Sequence, residues 1–140
     1  MPTYERFEDL PVWQTAADLY DLTDDFLADA PARLRYGFRD QLERAVLSIS
    51  NNISEGFERG TNNELLKFLY MARGSAGEAR SMLTIVSRRK WISDDHKARV
   101  FALRSMAESC SRQLGGWTDS LRKSSFRGQR HVCRKADPQE

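Results

Sequence analysis

Residues 41–60, QLERAVLSISNNISEGFERG, restrict the possible folds more than any other stretch. At 100° per residue, Leu42, Ala45, Val46, Ile49, Ile53, Gly56 and Phe57 fall on one face of a helix, a seam that must be covered by other elements. Gln41, Arg44, Ser48, Asn52, Glu55 and Arg59 form a second stripe that borders this seam instead of opposing it. A polar row in that position is either a wetted helix flank or a helix boundary or subunit contact, where its groups hydrogen-bond to one another. If Asn52 and Glu55 lie buried beside Arg44 and Arg59, truncating Glu55 strands a cation and costs on the order of 3 kcal/mol. Gly60 suits a left-handed helix end, and Thr61 with Glu64 has the spacing of a capping box, so a third helix follows at once. So short a link forces the two helices antiparallel.

Three more seams complete an all-α, up-down four-helix bundle. Asp9 is the expected N-cap of the first helix, with Pro11 just inside it. Val12, Trp13, Ala16, Leu19, Tyr20, Thr23 and Phe26 recur at helical spacing until Pro31 stops the run. Leu65, Phe68, Leu69, Ala72, Ala76, Ala79, Leu83 and Val86 make the third seam. Gly74 and Gly77 interrupt that helix at about 1 kcal/mol each relative to Ala. The expected compensation is close approach of another helix. Ser93 caps the fourth helix ahead of Asp94 and Asp95, and Val100, Leu103, Ala107, Cys110, Leu114, Trp117 and Leu121 repeat in steps of three and four. Gly115 and Gly116 weaken its end, and residues 124–140 have no apolar period, so the expectation is a bundle over 1–123 and a disordered basic tail over 124–140.

The run Gln41, Leu42, Arg44, Ala45, Ser48, Ile49, Asn52, Ile53, Glu55, Gly56, Arg59 resembles the core motif of a small four-helix-bundle family first noted as proteins encoded in intervening sequences of 23S ribosomal RNA genes. Upstream, Phe7, Leu10, Val12, Trp13 and Ala16, then Tyr36 and Gly37, are similar to its opening helix and its approach to the second. Downstream, Phe68, Leu69, Ala72, Gly74, Ser75 and Glu78 are similar to its third-helix signature. The similarity spans roughly residues 7 to 122. It implies a left-handed antiparallel bundle, commonly assembled as a ring-like homopentamer, with no known enzymatic activity. Family relatives that accompany diversity-generating reverse transcriptases are nucleic-acid-binding accessory subunits. The resemblance assigns Gln41, Arg44, Ser48, Asn52, Glu55, Gly56, Arg59, Gly74, Ser75 and Glu78 to a structural or interface role.

Charge is unevenly distributed along the chain. Residues 1–60 hold 6 Lys+Arg against 12 Asp+Glu, and residues 61–140 hold 16 against 8. The split serves either self-association or a basic surface for nucleic acid. The opening residues lack the regions of a signal peptide, and no apolar run approaches the ~18 residues of a membrane span, so a cytoplasmic protein without membrane contact is expected. In a reducing cytosol Cys110 and Cys133 remain thiols, and Cys110, on a seam, reads as buried and inert.

No constellation for catalysis, cofactor or metal emerges. His96 and His131 are the only histidines, and His131 with Cys133 supplies two ligands where structural zinc takes four. Asp18, Asp21, Asp24 and Asp25 lack the loop glycine and fixed spacing of a calcium site. Ser48, Ser54 and Ser75 have no histidine on a neighbouring turn to act as base. Glu55 and Glu78 read as partners of Arg44, Arg59 or Arg73 and not as a carboxylate pair. Two non-enzymatic functions follow. The first is a homo-oligomeric accessory protein that binds RNA or DNA through Arg88, Arg89, Lys90 and Trp91 and through Arg122, Lys123, Arg127, Arg130, Arg134 and Lys135. Among these, Trp91 is the expected stacking plane. The second is a scaffold ring that presents its surface to a protein partner.

Overall fold

The computed structural model describes residues 3–124. A 3-10 turn over Phe7–Asp9 leads into α1 (Pro11–Ala28), followed by α2 (Tyr36–Glu58), α3 (Asn62–Ser87) and α4 (Asp94–Lys123). Each helix packs on two others in the cyclic order α1, α2, α3, α4, with α1 closing against α4. Cross-helix pairs show the directions. Along α2 and α3, Gln41 meets Glu78 and Ser48 meets Ser75, so one index falls as the other rises. Tyr20 with Glu43 and Leu27 with Arg39, Arg80 with Glu108 and Tyr70 with Arg122, and Thr15 with Gln113 and Asp29 with Arg99 show the same for the other neighbours. The bundle is therefore antiparallel throughout.

The anticipated seams are the core. Leu42, Ile49, Ile53, Leu69, Ala72, Ala76, Leu83, Val100, Ala107, Cys110 and Leu114 have no exposed surface. Burial pushes the Cys110 thiol up to about 11, so the thiolate that reacts with electrophiles is scarce near neutrality. Gly60 adopts φ 89°, the left-handed turn expected of it, and the Thr61 hydroxyl accepts from the Glu64 amide at 3.1 Å. Ser93 caps α4 in the same way through the His96 amide.

Two expectations are corrected. Asp9 does not cap α1: it ends the 3-10 turn, Leu10 occupies the N-cap position without a side-chain bond, and Pro11 opens the helix. Gly74 and Gly77 are not contact points within the chain. Both are exposed, and a Cβ at either would meet nothing within 4 Å. The close approach lies at Gly56, where a Cβ would stand 2.7 Å from the Phe68 Cβ and 3.3 Å from a Leu65 methyl. Gly115 and Gly116 lie inside α4, which runs to Lys123, and the Arg73 guanidinium lies 3.5 Å from the position of a Gly115 Cβ.

Gly56→Ala should destabilise the bundle by about 1–3 kcal/mol, because the added carbon meets Phe68 close to the backbone, where there is little room to give. Gly74→Ala should raise stability by about 1 kcal/mol through helix propensity alone. Urea melts of the two variants test this contrast, with assembly state monitored alongside.

Candidate nucleic-acid interface

The two groups of residues singled out in the sequence occupy different places. The first runs along the groove between α2 and α3. Gln41 Nε2 donates to Glu78 Oε2 at 2.6 Å, the Ser48 and Ser75 hydroxyls share a hydrogen bond at 2.8 Å, and Asn52 Nδ2 donates to the Ser48 carbonyl and hydroxyl at 2.9 Å. Arg44 pairs with Asp40, and Arg59 pairs with Glu55 at 3.0 Å and Glu64 at 3.6 Å while lying over the Phe68 ring. This is a polar ladder tying two helices together, half-buried at Ser48, Asn52 and Ser75 and wet at both ends.

Of the two readings that the sequence left open for this stripe, Glu55 and Arg59 take the wetted one. The two side chains keep 52% and 48% of their surface, because the stripe sits on the rim of the groove and not beneath it. Glu55 and Glu78 are each satisfied separately, by Arg59 and Gln41. Ser48 and Ser75 have each other and Asn52 but no histidine; His96 bonds instead to Ser93 and to the Asp29 carbonyl on the opposite side of the bundle. No group of three or more His, Cys, Asp or Glu among the described residues is placed to hold a metal ion.

The second group lies at the end of the bundle where the α1–α2 and α3–α4 links meet. Arg88, Arg89 and Lys90 follow the last turn of α3 and are exposed; Trp91 is half-buried. The Arg33 guanidinium lies over the Trp91 ring, 5.4 Å from its centroid, joining the two links. Arg89 Nε donates to the Ile85 carbonyl at 3.2 Å, beside the Arg88 amide that reaches the same oxygen, and leaves its terminal nitrogens available. The side chains of Arg35, Arg88 and Lys90 have no hydrogen-bond or ion-pair partner among the described residues. Arg122 and Lys123 do not join them. They sit at the far end of α4, a 30-residue helix, so about 45 Å of rise separates them from Ser93. Arg122 there donates to Tyr70 Oη at 2.8 Å and pairs with Asp119, both of which hold its proton more tightly than usual. Arg127, Arg130, Arg134 and Lys135, and the expected disordered tail, lie outside the described residues.

Arg33, Arg35, Phe38 and Arg39 carry no signal of periodicity and were not singled out. Their clue was compositional: three of the six basic residues in the acidic first half stand within seven positions. Arg39 organises this corner. Its Nε donates to the Leu34 carbonyl at 2.8 Å, Nη1 to Leu27 at 2.8 Å, and Nη2 to Ala30 at 2.9 Å and Pro31 at 3.4 Å. One side chain thus bonds four carbonyls at and after the end of α1, adding to the backbone amides that already reach Leu27 and Pro31, and holds the link that carries Arg33 and Arg35.

These features define a small all-α bundle with a polar interhelical ladder and a basic end. The family model of the 23S rRNA-intervening sequence protein matches residues 8–116, and the chain belongs to that family. No curated protein matches it. No helix among the described residues is long and apolar enough to cross a membrane.

Arg39→Ala should lower stability by about 2 kcal/mol or more, since it removes a charged donor from four carbonyls, of which those of Leu27 and Pro31 keep a backbone amide and those of Ala30 and Leu34 lose their side-chain donor. Glu55→Ala should cost less than about 1 kcal/mol, as exposed pairs do. Denaturant melts at matched assembly state check both, and the order of the two variants is the decisive readout.

Proposed function

We propose that the protein is a non-enzymatic, homo-oligomeric accessory subunit that binds RNA or DNA through the basic end of each bundle. One observation carries the reading: Arg33, Arg35 and Arg89 line one cleft with Trp91, brought together from two links far apart in sequence, and Arg88 and Lys90 flank Arg89 in the chain, exposed at the same end. Such unpaired cations suit phosphates, which demand charge and reach more than exact geometry. Arg122 and Lys123 at the opposite end add a separate, smaller basic patch.

Assembly is the second part of the proposal. Leu47, Tyr70 and Met71 expose about two-fifths to one-half of their surface (39%, 42% and 47%) on the long sides of α2 and α3. Gly74 and Gly77 stand open on α3 and leave its backbone free for approach. Five copies in a ring, in the cytoplasm, is the arrangement proposed, by family membership and by the preference of soluble oligomers for closed symmetry. The exposed side faces also support a scaffold that grips a protein partner, the reading that survives if nucleic acid does not bind.

Light scattering at micromolar concentration should give about five chain masses. Anisotropy with labelled RNA or DNA should show weak sequence preference and a logarithmic salt slope of roughly −2 to −3 per engaged copy on single strands. Arg88→Ala with Arg89→Ala should flatten that slope. Absence of binding at low salt rejects the nucleic-acid reading, and a clean monomer rejects the ring.

A further inference from the structure

Between the α1–α2 link and the end of α3 lies an open cleft of about 610 Å³, lined by residues 32–35, Phe38, Ile85, Val86, Arg89 and Trp91. Its composition is divided. Leu34, Phe38, Ile85 and Val86 give it an apolar floor, and Arg33, Arg35 and Arg89 supply three cations with no carboxylate among the lining residues. Ile85 keeps 42% of its surface, so the floor is reachable from solvent. The volume falls within the ~300–1,000 Å³ typical of sites for small organic groups.

A purely electrostatic phosphate-binding surface needs no apolar floor. Conversely, an apolar peptide has no use for three arginines. The ligand chemistry that uses both is a flat, apolar-faced ring joined to a phosphodiester. From this we infer that the cleft receives an unpaired base of single-stranded RNA or DNA, with the flanking phosphates on Arg35 and Arg89. The inference rests on the nucleic-acid reading above and specifies its substrate class. In a duplex the bases are stacked and paired, so only phosphates reach the rim and the floor stays empty. Arg33 already lies over Trp91, showing that the ring face at the cleft wall accepts a planar group. Arg39 fixes the link through four carbonyls, so the rim is held in place before ligand arrives.

The test uses the full chain in its native assembly, with fluorescein-labelled oligouridylate or oligothymidylate of roughly 12 nucleotides and a duplex of equal length. Single strands should bind about tenfold more tightly than the duplex. Ile85→Glu places a carboxylate on the exposed floor and should weaken single-strand binding at least about fivefold more than duplex binding, which loses only what the added charge takes from the phosphate contacts. Trp91→Leu, which keeps an apolar group in the half-buried seat, should weaken single strands about fivefold. Helical circular dichroism and light scattering on each variant exclude loss of fold or assembly. Equal affinity for both forms, or an unchanged Ile85→Glu variant, overturns the cleft and leaves the basic surface standing. If neither form binds at low salt, both readings fall. If Ile85→Glu changes the mass of the assembly, the cleft is a contact between copies and the inference is wrong.

Discussion

The contact between α2 and α3 at Gly56 sets the register on which much else depends. A helix can approach another this closely only where a side chain is missing, and here the missing carbon leaves room for Phe68 and Leu65. The link beyond it is as short as helices allow, with Gly60 turning left-handed and Thr61 capping α3 immediately. Contact and link together permit one antiparallel register. That register places Ser48 beside Ser75 and, between four and five turns from the link, Gln41 beside Glu78. The ladder is therefore a consequence of the hairpin, and its hydrogen bonds select against slippage more than they supply net stability.

At the opposite end of that hairpin a different problem arises: α1 must hand over to α2 through a longer link whose carbonyls face no helix. Arg39 resolves it with a single guanidinium. Because the arginine emerges from the first turn of α2, the link is anchored to the same helix that carries Phe38 into the cleft. The basic end is thus built from rigid parts. Arg33 is held at Trp91 by ring stacking and Arg89 at Ile85 by a backbone bond, while Arg35 keeps its full donor capacity.

Sequence periodicity revealed the fold because every helix has one continuous apolar stripe, and a stripe is a local property. Ile49, Leu69 and Leu114 sit where 100° steps put them. Small residues were harder to interpret, since a glycine fits equally well where a neighbour presses close and where no intramolecular neighbour exists. Gly56 is the first case and Gly74 the second. The polar stripe was ambiguous in a similar way: angular position distinguishes facing in from facing out, but a groove rim lies between them, and Glu55 lies there. The candidate site was half legible. Arg88, Arg89, Lys90 and Trp91 form a run and announce themselves, whereas Arg33 and Arg35 acquire meaning only when folding brings them to a segment some fifty positions away.

Placement of these features also bears on how the proposed ring would work. Exposed apolar groups and open glycines lie along the sides of the bundle, and the cleft lies at one end. Copies that associate side by side around a rotation axis all point the same end in the same direction. The clefts then share one rim, and the charge of each adds to a common field above it. One cleft with three arginines can hold a strand only weakly, because few phosphates are neutralised. Repetition around a rim changes this without any new contact: once one nucleotide is seated, the next cleft meets the same strand at high effective concentration. The strand must be flexible enough to follow the rim, which a single strand is and a short duplex, with its ~150 base-pair persistence length, is not. Closed symmetry would thus reinforce the preference for single strands that the apolar floor of each cleft introduces.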